Sequence, residues 1–447
     1  MERPMHGMLA AAAGRLSLHM PGAQGRGPYG RIDPYRLETT ELAVTDDLYA
    51  PGGAIARAEA LAAQSAGAAG TLMLTGGSTA GVQAMLLYAA GGGGQVIVPR
   101  NAHASVIRLC AVAGLDVGFA RPSFTASGIC HTTDESYLEA LSRCPGARAM
   151  LVTRPDYYGA LNYPVRAAAR AREMGITVLC DEAHGAHLSW DPETPTAGAL
   201  GADLWVQSAH KTLPALNGAA WLHAGPGVDM ARLRAMVRAV QSSSPPFVTL
   251  LSLDDARAWM DARGAAAIAR LREAAACFHR WAAQMGYADG QSEPGWAYDR
   301  TRVVIEAPQG GFALARALGA RGVDVEMSDE RRVVCIASLM DGPARLARLL
   351  RALPPPGAAT LAPDVPPAVL PERVMPLGEA FFAPSEPVPL PRAAGRVSAV
   401  QAGPYPPGTA LICAGERVTE EIAAYLASLD GRRSFGLGPG GTLACVR

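Results

Sequence analysis

Lysine is almost missing from this sequence. Of 40 strongly basic residues, 39 are arginine and one is Lys211. Ala, Gly, Pro and Arg are all heavily used, which points to a compositional drift that exchanges surface lysine for arginine at little cost. A lysine that survives such drift is a candidate for chemistry arginine cannot do. A guanidinium stays protonated in proteins, whereas a lysine amine can lose its proton and become a nucleophile, above all in a Schiff base.

Other absences narrow the class. Formal net charge is zero and the arginines are mostly scattered singly, so nothing supports binding to nucleic acid or to an anionic membrane surface. None of the eight cysteines forms a Cys-x-x-Cys unit, so neither a disulfide framework nor a zinc ribbon is indicated. Cys180, Cys335 and Cys413 lie in apolar runs and read as small buried hydrophobes, which suits a reducing cytosol. The sequence has no uninterrupted apolar stretch of about 18 residues, so no membrane span is expected. The apolar run from Met8 to Ala13 is too short for the core of a signal peptide. What the sequence does have is length, 447 residues, with 49% of them apolar, enough for two or three domains around a large core.

Periodicity divides the chain into four parts: an N-terminal arm over 1–50, a large domain over 51–300, a small α+β unit over 301–360 and a C-terminal domain over 361–447. The arm is poor in helical pattern and would be ordered only by packing on something else. From Thr71 to about residue 240, strand and helix patterns alternate. Strands are expected at 71–74, 95–98, 116–119, 149–153, 176–180, 204–207 and 219–222, which predicts an α/β fold with a mostly parallel sheet covered on both faces. Further strands are expected at 302–306, 332–336 and 411–413, with helices at 311–320 and 418–428. In such sheets ligands bind beyond the carboxyl ends of the strands, and the chemically interesting residues fall there.

At the first such end, Leu74-Thr-Gly-Gly-Ser-Thr-Ala-Gly81 turns from strand to helix. Backbone N–H groups at the helix start, beside the hydroxyls of Ser78 and Thr79, suit a phosphate, although an N-cap turn would look the same. The spacing is not that of a dinucleotide fingerprint, and a P-loop would need a lysine that is absent here. At the second, Val98-Pro-Arg-Asn-Ala-His103 places a histidine that either caps the next helix or lies beside a flat ligand. The third, Val178-Leu-Cys-Asp-Glu-Ala-His-Gly-Ala-His187, delivers Asp181 at a strand end. A carboxylate there could keep a pyridine nitrogen protonated. Asp181, His184 and His187 could also be read as metal ligands, but the spacing is loose and no metal is expected. The fourth, Gln207-Ser-Ala-His-Lys211, sets Ser208 and His210 beside the lone lysine. A phosphate cradle, a carboxylate and a nucleophilic lysine are together the requirements of pyridoxal phosphate.

These motifs resemble the Orn/Lys/Arg decarboxylase family. The likeness extends to Leu18-His-Met-Pro-Gly, Ser243-Ser-Pro and Pro404-Tyr-Pro-Pro-Gly, in order along almost the whole chain. The length is similar to the short bacterial form, without an N-terminal wing domain. The resemblance implies a fold-type-I enzyme of the cytoplasm that decarboxylates a basic amino acid on pyridoxal phosphate, giving a polyamine or its precursor. Lys211 then matches the Schiff-base lysine, Asp181 the partner of the pyridine nitrogen and His103 the residue stacked on the ring. Ser78, Thr79 and Ser208 match phosphate ligands, and His210 matches the histidine before the lysine. His184 matches a histidine near the ring's other face or the substrate carboxylate. Ser243 matches a residue reaching the phosphate of a neighbouring subunit, because family sites form at a homodimer interface. An aminotransferase, another lyase or a non-catalytic pyridoxal-phosphate-binding protein would share much of this pattern. The chain departs from the family at Pro21-Gly-Ala-Gln-Gly, at Asn217-Gly218 and at Asp156, where threonine is more usual. Glu182, Asp156 and Glu416 are the acidic candidates for a cationic substrate side chain.

Overall fold

The computed structural model describes residues 15–24, 26–29, 33–42, 44–359, 365–429 and 433–447. The run from Met8 to Ala13 lies outside them. Seven strands form the main sheet: β1 (Gly70–Leu74), β2 (Gln95–Pro99), β3 (Asp116–Ala120), β4 (Ala147–Thr153), β5 (Thr177–Asp181), β6 (Leu204–Gln207) and β7 (Ala220–Ala224). Their order across the sheet is β1-β7-β6-β5-β4-β2-β3. All run parallel except β7, which lies antiparallel between β1 and β6. The strands match the apolar runs because a sheet buried on both faces needs no alternation. One face packs on Val82, Met85, Val106 and Leu233, the other on Tyr137, Leu141, Ala167 and Ala171.

The direction of β7 determines the layout of the site. Only seven residues separate the short helix Ala209–Thr212 from β7, too few for the crossover that a parallel strand requires. The chain therefore doubles back, and β7 begins at the edge where its parallel neighbours end. There Gly218 C=O accepts from Gly77 N–H at 2.8 Å, and Ala219 C=O accepts from His210 N–H at 3.2 Å. Two loops about 130 residues apart are joined by one short turn.

Helix α1 (Gly77–Ala90) follows β1 and α2 (Ala104–Val112) follows β2. At Gly81 the helix lies so close to the sheet that a Cβ would stand 2.5 Å from Val206 Cγ2. Helix α3 (Phe247–Gln284) is 38 residues long and shares one apolar cluster with the arm and the small sheet. That sheet contains Ala288–Asp289, Arg302–Glu306, Arg332–Ile336 and Met327–Ser328, all antiparallel. The arm pairs Leu16–Leu18 with Val323–Val325 in parallel. Its Gln24 side chain donates to Ile336 C=O at 2.7 Å and accepts from Ser338 N–H at 3.2 Å. The residue at the arm's departure from the family pattern thus ties the arm to the small sheet.

The C-terminal segment has its own core around Ile412, Ile422, Leu426 and Leu443, under a three-stranded sheet. The strand expected at 411–413 is absent: Ile412 forms only an isolated bridge to Ala402. The backbone is held there instead by Glu416, which accepts from Cys413 N–H at 2.8 Å. Among the described residues no helix is long and apolar enough to cross a membrane.

Alanine at a helical glycine ordinarily stabilises by up to about 1 kcal/mol. Gly81→Ala should instead destabilise by about 1–3 kcal/mol through overpacking against Val206 and Leu74. A denaturant titration of the variant checks the sign.

Candidate active site

The carboxyl ends of β1, β2, β4, β5 and β6 open on one cavity of about 340 Å³. Its wall takes Gly77, Ser78 and Thr79 from beyond β1, His103 from beyond β2, and Asp156 and Tyr157 from beyond β4. Asp181, His184, His210 and Lys211 stand on the same wall. Tyr405, Thr409 and Phe435 close it from the C-terminal segment. That segment is anchored by a buried ion pair between Arg100 and Glu416, and by Ala410 N–H donating to Arg100 C=O at 3.2 Å.

Gly77 has φ +69°, a conformation open to glycine, and its Cβ position faces empty space. Gln241 Oε1 accepts from the N–H groups of Thr75 and Gly76 at 2.9 Å each, fixing the approach to the turn. The hydroxyls of Ser78 and Thr79 have no hydrogen-bond partner among the described residues and stand on the cavity wall. Together with the N-terminus of the 14-residue α1 they form a turn whose donors suit an anion. His103 sits at the start of α2. Its Nδ1 caps α2 by accepting from Ser105 N–H at 3.3 Å, and the ring lines the cavity. Loss of solvent pulls the imidazolium of His103 down, partly offset by Asp181.

Lys211 lies on the four-residue helix Ala209–Thr212. Desolvation pushes its ammonium below the usual lysine range, Asp181 and Glu326 pull it up, and Arg302 pushes it further down. Its Nζ is 3.1 Å from His184 Nε2. His184 is buried, and that burial, with Lys211 and Arg302 beside it, holds the imidazole neutral far below its ordinary range. His210 is also held low by burial, its Nδ1 shared between Ser208 Oγ and Ala219 C=O at 3.1 Å each.

Two sequence candidates stand apart from the cavity wall. Ser208 is fully buried and its hydroxyl faces His210. Ser243 is exposed and is not part of this chain's own cavity wall. Of the three acidic candidates, Glu182 is consumed by Arg154 at 2.9 Å, Gln207 at 2.8 Å and Ala197 N–H at 2.8 Å. Glu416 is consumed by Arg100 and Cys413. Asp156 alone borders the cavity, with one carboxylate oxygen accepting from Tyr158 N–H at 2.9 Å and Ala160 N–H at 2.8 Å. Arg302 escaped sequence reading altogether. It is one arginine among 39, and its place opening a strand of another sheet left no local signal.

Burial raises the Asp156 carboxyl to about 6. The folded state then keeps a proton that the unfolded chain loses near pH 4, so this group makes stability fall as pH rises from about 4 through about 6. Asp156→Asn should remove that fall, and the difference between the two unfolding free energies across this window checks it.

Profiles of the Orn/Lys/Arg decarboxylase major domain and C-terminal domain match residues 36–282 and 369–436. The chain is 31% identical to the Bacillus subtilis protein YaaO over 96% of this chain and 94% of that one. It is 29% identical to arginine decarboxylase of Bacillus subtilis, over 95% and 93%. In fold it is similar to the constitutive lysine decarboxylase of E. coli, with a TM-score of 0.74 at 20% identity over 88% of this chain and 74% of that one.

Proposed function

This chain belongs to the Orn/Lys/Arg decarboxylase family, and within it we propose that it removes the α-carboxylate of a basic amino acid, using pyridoxal phosphate held at Lys211. The observation that carries this reading is the meeting of the only lysine, Asp181 and the Gly77–Thr79 cradle in one cavity. The residues fit that cofactor. The empty Cβ position of Gly77 and the two unpartnered hydroxyls suit its phosphate. The buried carboxylate of Asp181 suits its ring nitrogen, and His103 offers a ring face to stack.

Pyridoxal phosphate supplies an electron sink for the pair left behind when carbon dioxide departs. The protein's part is positional and protonic. Asp181 would hold a proton on the ring nitrogen, which strengthens the sink. Ser78, Thr79 and the N–H groups of α1 would fix the phosphate, and His103 would bound one face. Lys211, partly desolvated, would exchange its bond for that of the substrate amine and then take back its place. His210 or Lys211 would return a proton to the α-carbon. Asp156, the one candidate carboxylate left free on the wall, would meet the cationic side chain of arginine, lysine or ornithine. Ser243, exposed and outside its own cavity, is available to the site of a second copy, which supports a homodimer with shared sites. A polyamine or its precursor would be the product, and the cytoplasm the setting.

A carbon dioxide release assay with arginine, lysine and ornithine tests the reaction; release of a keto acid instead would point to an aminotransferase. An absorbance scan should show a visible Schiff-base band that Lys211→Ala abolishes. Asp156→Asn should lower kcat/KM for the preferred substrate about 10–100-fold, the worth of one charged hydrogen bond. An unchanged value would remove Asp156 from substrate binding.

A further inference from the structure

Arg302 opens a strand of the small sheet, yet its buried guanidinium ends beneath the cavity. Its Nη1 has two hydrogens for three acceptors and shares them among Tyr157 C=O at 2.8 Å, Asp156 C=O at 3.2 Å and His184 Nδ1 at 3.4 Å. On the other side of the same imidazole, Nε2 stands 3.1 Å from Lys211 Nζ. The two ring nitrogens thus face the two basic side chains, one each. The edge of Tyr157 packs on it with centroids 4.9 Å apart, fixing its plane.

Donor and acceptor capacity decides where the protons are. A guanidinium has only N–H groups and cannot accept. The contact with Nδ1 of His184 is favourable only when that nitrogen presents its lone pair. A neutral imidazole with a bare Nδ1 carries its proton on Nε2. That proton points at Lys211 Nζ. An ammonium there would set donor against donor, whereas a neutral amine offers the lone pair that completes the chain. We propose that Arg302 is a positioning residue that fixes the His184 proton on Nε2 and so keeps the Lys211 amine unprotonated and nucleophilic. The proton given up by Lys211 leaves to solvent through the cavity.

The remaining charged and titratable groups facing this pair are Asp181 and Glu326, which favour the ammonium, and His103 and His210, whose protonation is disfavoured by desolvation. Met20 N–H of the arm donates to Glu326 at 2.9 Å, so part of that carboxylate's charge is already engaged. Burial pushes both His184 and Lys211 toward their neutral forms, the same pair of states that the donor pattern selects. The proposal rests on reading Lys211 as the amine that receives the cofactor, but not on which substrate follows.

The composition makes the test direct. With one lysine in the chain, reductive methylation by ¹³C-formaldehyde gives one ε-amine resonance to follow against pH. The full chain is used, freed of bound small molecules, so neither cofactor turnover nor substrate choice enters the readout. Arg302→Met should raise the Lys211 titration midpoint by about one unit, which slows labelling near neutrality about tenfold. In a His184→Phe background the same change should shift the midpoint by less than half as much, because the imidazole that relays it is gone. An equal shift in both backgrounds would mean direct charge repulsion and overturn the relay. An unchanged midpoint in Arg302→Met would overturn it too. If loss of the carbonyl contacts prevents that variant from folding, His184→Phe alone decides. The proposal requires a raised midpoint there, and an unchanged or lowered one refutes it. Loss of carbon dioxide release with these midpoints as expected would count against the proposed reaction instead.

Discussion

Everything at the site depends on the antiparallel course of β7. A purely parallel sheet would carry the chain away from Lys211 through a long crossover. Here it returns within a few residues and lies beside β1, whose end starts the anion cradle. The bonds from Gly77 to Gly218 and from His210 to Ala219 then lock cradle and lysine into one piece of backbone. A Cβ at Gly218, φ +87°, would stand 2.7 Å from Thr75 C=O, so the closeness of the two loops is enforced by glycine. Asn217-Gly218, one of the departures from the family pattern, falls at this junction.

Around that junction the buried charges are sorted by partner. Arg154 with Glu182 and Arg100 with Glu416 are fully buried pairs. Removing one member of such a pair leaves the other uncompensated at a cost of about 3–5 kcal/mol. Their carboxylates are therefore bound into the scaffold and unavailable to a ligand. The carboxylates that remain near the cavity, Asp181 and Asp156, are held mainly by backbone N–H groups, which fix position without cancelling charge. Specificity for a cation becomes a matter of which acids the fold has not already spent on arginine.

Much of this was legible in the sequence, and the exceptions have physical reasons. The seven strands stand out because a doubly covered sheet writes each strand as a short, mostly apolar run bounded by polar or turn-forming residues. Ser78, Thr79, His103, Asp181, His184, His210 and Lys211 were found because each follows such a run, and all line the cavity. Strand direction left no trace in composition. The short spacing between Lys211 and Ala220 was the signal for it, since a parallel neighbour cannot be reached in so few residues. The apolar run at 411–413 looked like a strand because burial alone makes a segment apolar; Ile412 and Cys413 are buried against the core without a ladder. Ranking Glu182, Asp156 and Glu416 required knowing which arginines were buried, and nothing in a chain with 39 of them distinguishes Arg100 or Arg154. Arg302 is further removed still, reaching the site from a different sheet.

The cavity's last wall comes from Tyr405, Thr409 and Phe435, while every other face is built from residues before 212. During synthesis the sheet and its lysine leave the ribosome long before that wall does, and domains fold as they emerge. The arm waits as well, since Leu16–Leu18 has no partner until Val323–Val325 is made. A nascent chain can thus own its amine, cradle and carboxylate in place while the chamber around them still stands open to water. The order of residues along the chain therefore places the closing wall of the cavity well after the lysine it covers.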